Sequence, residues 1–177
     1  MVWGDNIDSP KWNILDVGCG NSPRGDINLD IADFGAQNFV KGNALALPFE
    51  KDDFITVYSS GLSLWQKINP FEDLVKAFAE AERVAKIQVV MEYAFFDKHK
   101  TWDCYHPVFA YNELKKTFPD IKLSLSQRQA KFVPLNLFTK IFGVRITIFV
   151  LNKVLRTSFL AKLKLKKLPV YFPEVKA

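Results

Sequence analysis

Short apolar runs alternate with stretches of helical periodicity along this chain, and together they predict its elements. Ile14 to Val17 reads as a first strand. Ile27-Asn28-Leu29-Asp30 alternates apolar and polar positions and reads as a second. Phe39 and Val40 start a third. Phe54 to Ser59 is β-branched and aromatic, the make-up of a buried strand. Asn69-Pro70-Phe71-Glu72 predicts a helix start, because Asn accepts from free backbone N–H groups and Pro fits the first turn. Phe71, Leu74, Val75, Phe78 and Ala85 then recur at helical spacing. Ile87 to Met91 predicts another strand. Asn112 to Phe118 predicts a short helix that Pro119 ends. Ile121 to Leu125 and Val144 to Leu151 complete the series as two final strands. Strands separated by helices predict an α/β fold, a mostly parallel sheet with helices on both faces. An antiparallel strand is expected near the C-terminus.

Ligands of such sheets sit beyond the carboxyl ends of the strands. That rule gathers four loops around one pocket: Gly18 to Pro23, the segment after Asp30, the segment after Ser59, and Tyr93 to Pro107. The first is the most informative. An apolar strand runs straight into Asp16-Val17-Gly18-Cys19-Gly20. Glycines let backbone pass close to a ligand and reach φ values that other residues avoid. No correctly spaced third glycine follows in Asn21 to Asp26, so this is not the six-residue dinucleotide fingerprint. The plainer reading is a tight structural turn.

Composition narrows the class. The 177 residues suit one domain, here divided into an α/β domain over 1–151 and a basic extension over 152–177. Hydrophobic residues make up 49% and charged residues 24%, as in soluble globular proteins. No apolar run is long enough for a spanning helix, and the N-terminus lacks a signal pattern. The two cysteines, Cys19 and Cys104, are too few for a disulfide framework, and no Cys/His pair has zinc spacing, so no metal is expected. These features point to a cytoplasmic protein. The charge is lopsided. Residues 140–177 hold nine of the 24 Lys and Arg but only one of the 19 acids. A basic tail of this kind suggests an anionic partner, either a membrane surface, with the protein then peripheral to it, or RNA. A solvated cap helix on the sheet is the simpler account of the same tail.

Four segments in order carry a family resemblance. Leu15 to Gly20 resembles the first motif of class I S-adenosylmethionine-dependent methyltransferases. Gly42-Asn43-Ala44-Leu45-Ala46-Leu47-Pro48-Phe49 resembles the G-D-A-x-x-L-P-F segment of the methyltransferase type 11 group. Asp53 to Ser60 resembles the strand that follows, and Arg83-Val84-Ala85-Lys86 the end of the next helix. The resemblance spans residues 12 to 93 and implies a Rossmann-like three-layer sandwich with S-adenosylmethionine as cofactor. It implies roles too. Asp16, Gly18, Cys19 and Gly20 would surround the methionine part, with backbone N–H groups facing it. Asp30 would accept from the ribose hydroxyls, with Ile31 beside it. Asn43 and Ala44 would lie beside adenine, although the family usually has Asp at the position of Asn43. Ser59 would line the pocket near the sulfonium. The ten positions from Gly20 to Asp30 are too few for a normal intervening helix, so Asn21 to Asp26 must be a loop or a single turn.

Methyl transfer from a sulfonium is an in-line displacement with an activated donor, so the protein mainly aligns the partners and excludes water. A base is needed only where the acceptor must lose a proton. Tyr93 and His106 are the candidates, both assigned to the loop after the Ile87 strand. For His106 the simpler reading is a loop histidine bonded to backbone. Aromatics in the same stretch, with Trp65 and Phe71 nearby, read as a lid or acceptor wall, or as ordinary packing. Relatives often carry His and Glu where this chain has Gly61-Leu62-Ser63-Leu64-Trp65. The leading expectation is methyl transfer to an unidentified acceptor, with a small molecule favoured. The alternative is a non-catalytic methyltransferase-like module recruited to a partner or anionic surface by its tail.

Overall fold

The computed structural model describes residues 12–60, 64, 66, 69–95, 105, 107–127, 141, 143, 146 and 159–167. In chain order these form β1 (Trp12–Val17), β2 (Ile27–Asp30), β3 (Phe39–Lys41), β4 (Phe54–Ser60), α1 (Phe71–Val84), β5 (Ala85–Phe95), α2 (Pro107–Thr117), β6 (Lys122–Gln127) and β7 (Phe159–Lys166). They build one seven-stranded sheet in the order β3-β2-β1-β4-β5-β7-β6. β1 to β5 run parallel, and β7 is antiparallel to both of its neighbours. This is the mostly parallel α/β sheet that the alternation predicts. Its antiparallel strand comes from a different place. Ile146, inside the stretch expected to be a final strand, is helical. The strand beside β5 is Phe159–Lys166, from the basic tail that reads more simply as a cap helix.

Period-two alternation divides the sheet into two unlike faces. Leu15, Val17, Leu29, Val57, Val89, Met91, Leu163 and Leu165 belong to one buried cluster. α1 joins it through Leu74, Ala77, Phe78, Ala81 and Val84, a single helical stripe. α2 joins it through Ala110 and Leu114. The Phe78 and Phe118 rings meet at 4.8 Å between centroids. The opposite face carries Ile14, Thr56, Tyr58, Gln88, Glu92 and the lysines of β7, as the strand register requires.

Boundaries shift where local chemistry differs from the simplest pattern. α1 is capped by the extended backbone of Pro70, with no side-chain cap bond, so Asn69 is not its cap. Its last turn passes into β5 at Ala85 without a connecting loop. α2 begins at Pro107, five residues before the expected start, since proline at the first helical position gives up no bonded N–H. β5 extends to Phe95, which makes Tyr93 a strand residue opposite Ala161 and not part of a loop.

Two of the four resembling segments are clamped to each other. The Arg83 guanidinium donates to both Glu80 carboxylate oxygens (2.9 and 2.8 Å) and to the carbonyls of Phe49 (2.8 Å) and Leu47 (3.1 Å). Glu80 in turn accepts from the Leu47 N–H at 2.9 Å. Arg83 holds the Glu80 carboxyl below the usual carboxylate range. Only a planar fork serves all these acceptors at once. Arg83→Lys is therefore expected to lower stability by about 1–2 kcal/mol, read from urea unfolding midpoints. A midpoint equal to wild type would show the clamp to be idle.

Candidate functional site

The chain order changes direction at β1. β2 and β3 extend the sheet to one side of it, and β4 and β5 to the other. The carboxyl ends of β1, β2 and β4 thus meet at a topological switch point, where open α/β sheets take their ligands.

The glycine turn leaves β1 with left-handed backbone at Gly18 (φ 71°) and Gly20 (φ 51°), which a side chain would strain. A Cβ placed on Gly20 would meet nothing within 4 Å, so space is open beside this residue. The turn's N–H groups are bonded within the protein and do not stand free for a ligand, contrary to expectation. Gly18 and Cys19 both donate to the Leu29 carbonyl (2.8 and 3.3 Å), and Gly20 donates to Asp30 Oδ2 (3.0 Å). Asp30, half-buried at the end of β2, therefore faces the glycine turn. Its Oδ1 accepts from the Ile31 N–H at 2.7 Å and, longer, from the Ala32 N–H at 3.4 Å. A carboxylate has about four acceptor positions, so Asp30 keeps capacity for an incoming donor. Ile31 and Phe34 follow it in the chain with 68% and 49% of their surface exposed.

Asp16 is buried at the end of β1. Its Oδ2 accepts from the Arg24 N–H at 2.9 Å, which ties down the far end of the loop. Its Oδ1 is buried with no partner. Burial is the main cause of a pKa raised from 3.8 to about 6, partly offset by the hydrogen bond from Arg24. The folded state thus holds this proton more tightly than the unfolded chain does. The stabilisation is complete below about pH 4 and is lost as the pH rises through 6. Asp16→Asn should remove that dependence, which amounts to about 3 kcal/mol at most. Urea unfolding of wild type and variant at steps from pH 4 to 7 reads it directly. Parallel stability profiles for the two proteins would contradict the raised pKa.

The other sequence-predicted residues are placed as follows. Cys19 is buried, and burial pushes its thiol pKa up, so it behaves as a packing residue. Asn43 is exposed, and its Oδ1 accepts from the Leu45 N–H at 2.9 Å, which closes a local turn. One of the two acceptor positions of that oxygen is therefore engaged within the chain. Ala44 is buried in the core cluster. Ser59 is buried, with its hydroxyl donated to the Val17 carbonyl at 2.7 Å, and so ties β4 to β1. Tyr93 lies in β5. His106 and Trp65 lie outside the described residues. Of the expected aromatic wall, Phe71 and Tyr105 come together, and Phe109 of α2 joins them in a cluster with centroids 5.0 to 5.9 Å apart. The Tyr105 hydroxyl donates to the Asn69 carbonyl at 2.6 Å, which joins the approach to α2 to the start of α1.

Sequence reasoning missed a second polar group. Arg24 donates to the Tyr58 hydroxyl and lies over the Tyr58 ring, 5.3 Å from its centroid. The Tyr58 hydroxyl donates to Glu92 Oε2 at 3.0 Å, and Lys162 pairs with the other Glu92 oxygen. Burial, with help from Glu92, pushes the Tyr58 phenol pKa up. A cavity of about 260 Å³ is lined by Ile14, Arg24, Thr56, Tyr58 and Glu92. Its signal in the sequence is the alternation of β4, which sets Thr56 and Tyr58 opposite to Val57 and Ser59. No group of three His, Cys, Asp or Glu side chains among the described residues could hold a metal ion. No described helix is long and apolar enough to cross a membrane.

Known structures share this fold. A geranyl diphosphate C-methyltransferase from Streptomyces coelicolor A3(2), solved with Mg²⁺, geranyl diphosphate and S-adenosyl-L-homocysteine, superposes with a TM-score of 0.55. It is 12% identical, over 92% of this chain and 75% of that one. A SAM-dependent methyltransferase from Archaeoglobus fulgidus gives 0.52 at 19% identity, over 91% and 88%. The [4+2]-cyclase SpnF gives 0.54 at 12% identity, over 91% and 76%. The chain has the class I methyltransferase fold. No family model and no curated protein matches the sequence. Within the class I methyltransferase fold, the ten-position link from Gly20 to Asp30 is a loop stapled by side chains in place of a helix. Asn28 Oδ1 accepts from the Gly25 N–H (2.9 Å), and its Nδ2 donates to the Gly25 and Gln37 carbonyls (3.1 and 2.8 Å). Asp26 Oδ2 accepts from the N–H groups of Asn13 (3.1 Å) and Ile14 (2.9 Å).

Proposed function

We propose that this protein transfers a methyl group from S-adenosylmethionine to a small acceptor with an apolar face. The observation that carries the reading is Asp30, fixed against the glycine turn at the switch point, beside open space at Gly20. Structural likeness to methyltransferases supports it.

The residues present fit the cofactor. Asp30 would accept from the ribose hydroxyls, since a carboxylate suits a diol. Ile31 and Phe34 would cover adenine, with Ala44 beneath and the amide NH₂ of Asn43 as a donor to a ring nitrogen. The unpartnered Asp16 oxygen suits a cationic N–H donor such as the cofactor's α-ammonium group. Gly18, Cys19 and Gly20 would wall the methionine part by shape, because their N–H groups are engaged. Ser59 would likewise supply shape near the sulfonium. Bound there, the cofactor supplies an electrophilic methyl group, and the chain's part is to orient the acceptor and keep out water. The Phe71–Tyr105–Phe109 cluster, with Phe109 exposed, is the proposed acceptor wall.

Titration calorimetry with S-adenosylmethionine and S-adenosylhomocysteine tests the first half. Dissociation constants at or below about 100 μM are expected. Absence of heat for both, with a folded protein, would end the proposal. Turnover is then read as S-adenosylhomocysteine released across an acceptor panel. Tight binding without any release would favour the non-catalytic module.

A further inference from the structure

β7 arranges its charge in a way the linear sequence conceals. Leu163 and Leu165 are 0% and 6% exposed in the core, so Lys162, Lys164 and Lys166 all lie on the opposite face of the sheet. Lys162 is neutralised by Glu92. Lys164 lies opposite Val90 on β5 and Lys122 on β6, and Lys166 lies opposite Gln88. Among the described residues, Lys122, Lys164 and Lys166 have no acidic partner. Lys167, by contrast, turns to Asp52 and to the carbonyls of Glu82 and Ala85, so it belongs to the scaffold. Like charges directly opposite each other cost stability. A lysine on the edge strand β6 can be explained as protection against edge-to-edge pairing. That explanation does not reach Lys164 and Lys166, because β7 is an interior strand.

We propose that this face is a track for the phosphates of single-stranded RNA, separate from the methyl-transfer site. Alternate residues of a strand repeat at about 6.8 Å, so Lys164 and Lys166 form a short row of point charges, with Lys122 beside Lys164 on β6. Such a row suits phosphates strung along an extended chain. A membrane surface fits less well. Interfacial binding needs an apolar face to insert, and Leu163 and Leu165 are already committed to the core. The row is also narrow, three residues on two adjacent strands, where a bilayer presents a broad plane.

The test is fluorescence anisotropy of a labelled 12-nucleotide uridine oligomer against the full-length protein, at several salt concentrations and without cofactor. Three neutralised phosphates give a slope of log K on log salt of about −2. Affinity should therefore fall about 15-fold between 50 and 200 mM salt. The triple variant Lys122→Gln/Lys164→Gln/Lys166→Gln should lose most of that slope and at least tenfold in affinity at 50 mM. The corresponding triple Lys→Arg variant should retain both. If the triple Gln variant does not fold, Lys122→Gln and Lys166→Gln singly should each reduce the slope by about 0.7. Unchanged slope and affinity in the folded Gln variants would overturn the proposal. So would a wild-type protein that binds phosphatidylserine vesicles but not the oligomer. Because no cofactor is present, failure here is distinguishable from failure of the methyl-transfer reading.

Discussion

Gly25→Ala should destabilise this protein by about 3 kcal/mol or more, and that is the largest effect expected of a single methyl group here. A Cβ at this position would lie 2.3 Å from the Ile27 carbonyl oxygen, 2.7 Å from the Asp16 nitrogen and 3.0 Å from the Ile14 oxygen. All three atoms are backbone, so no side chain can swing away. β1 and β2 would have to part where their register pairs Leu15 with Ile27. The damage reaches the site, because the same movement disturbs Asp16 and the loop that Asn28 staples at Gly25. Gly20→Ala is the control. Its Cβ would meet nothing, so only left-handed strain remains, about 1 kcal/mol. Urea unfolding of the two variants separates crowding from strain. Equal, mild losses in both would refute the close approach at Gly25.

Asp30→Ala comes next in size, with affinity for S-adenosylmethionine expected to drop about 100-fold. Two contributions combine. The charged acceptor for a ribose diol disappears, and the Gly20 N–H loses its 3.0 Å partner, which frees the glycine turn. Asp30→Asn keeps the size and one acceptor, so a loss nearer tenfold is expected. Calorimetry gives the affinity, and thermal melting of the unliganded variants shows how much of the change is loosening of the turn. Asp30→Ala binding as tightly as wild type would remove Asp30 from the proposed site.

The elements that could be read in advance share one property: their side-chain pattern has a single period. β1, β2 and β4 carry β-type runs, and α1 carries a clean stripe from Leu74 to Val84. The tail was harder. Residues 162–166 alternate lysine and leucine, yet a basic, loosely apolar segment also reads as an amphipathic helix. Pairing on both sides with β5 and β6 decides for a strand, and those partners are distant in sequence. The sequence alone puts Tyr93 in a loop, because nothing local extends β5 past Met91. The extension follows from its register with β7.

The site divides along similar lines. The Asp16–Gly20 turn and the carboxylate at Asp30 could be named from residue type and spacing, because a strand running into glycines constrains backbone locally. The partners of those groups could not. The Leu29 carbonyl accepts from the Gly18 and Cys19 N–H groups, and the Val17 carbonyl accepts from the Ser59 hydroxyl. Arg24 joins Tyr58 and Glu92 across 34 positions at each step. By itself the sequence determined the alternation of elements, the apolar face of the sheet and the glycine turn, since each follows from short-range periodicity or from allowed φ. Only the tertiary structure decided the strand order, the role of the tail and the long-range hydrogen-bond partners of Gly18, Gly20, Ser59, Arg24 and Tyr58. Those depend on which distant backbones come within about 3 Å of each other, and spacing along a chain does not encode that.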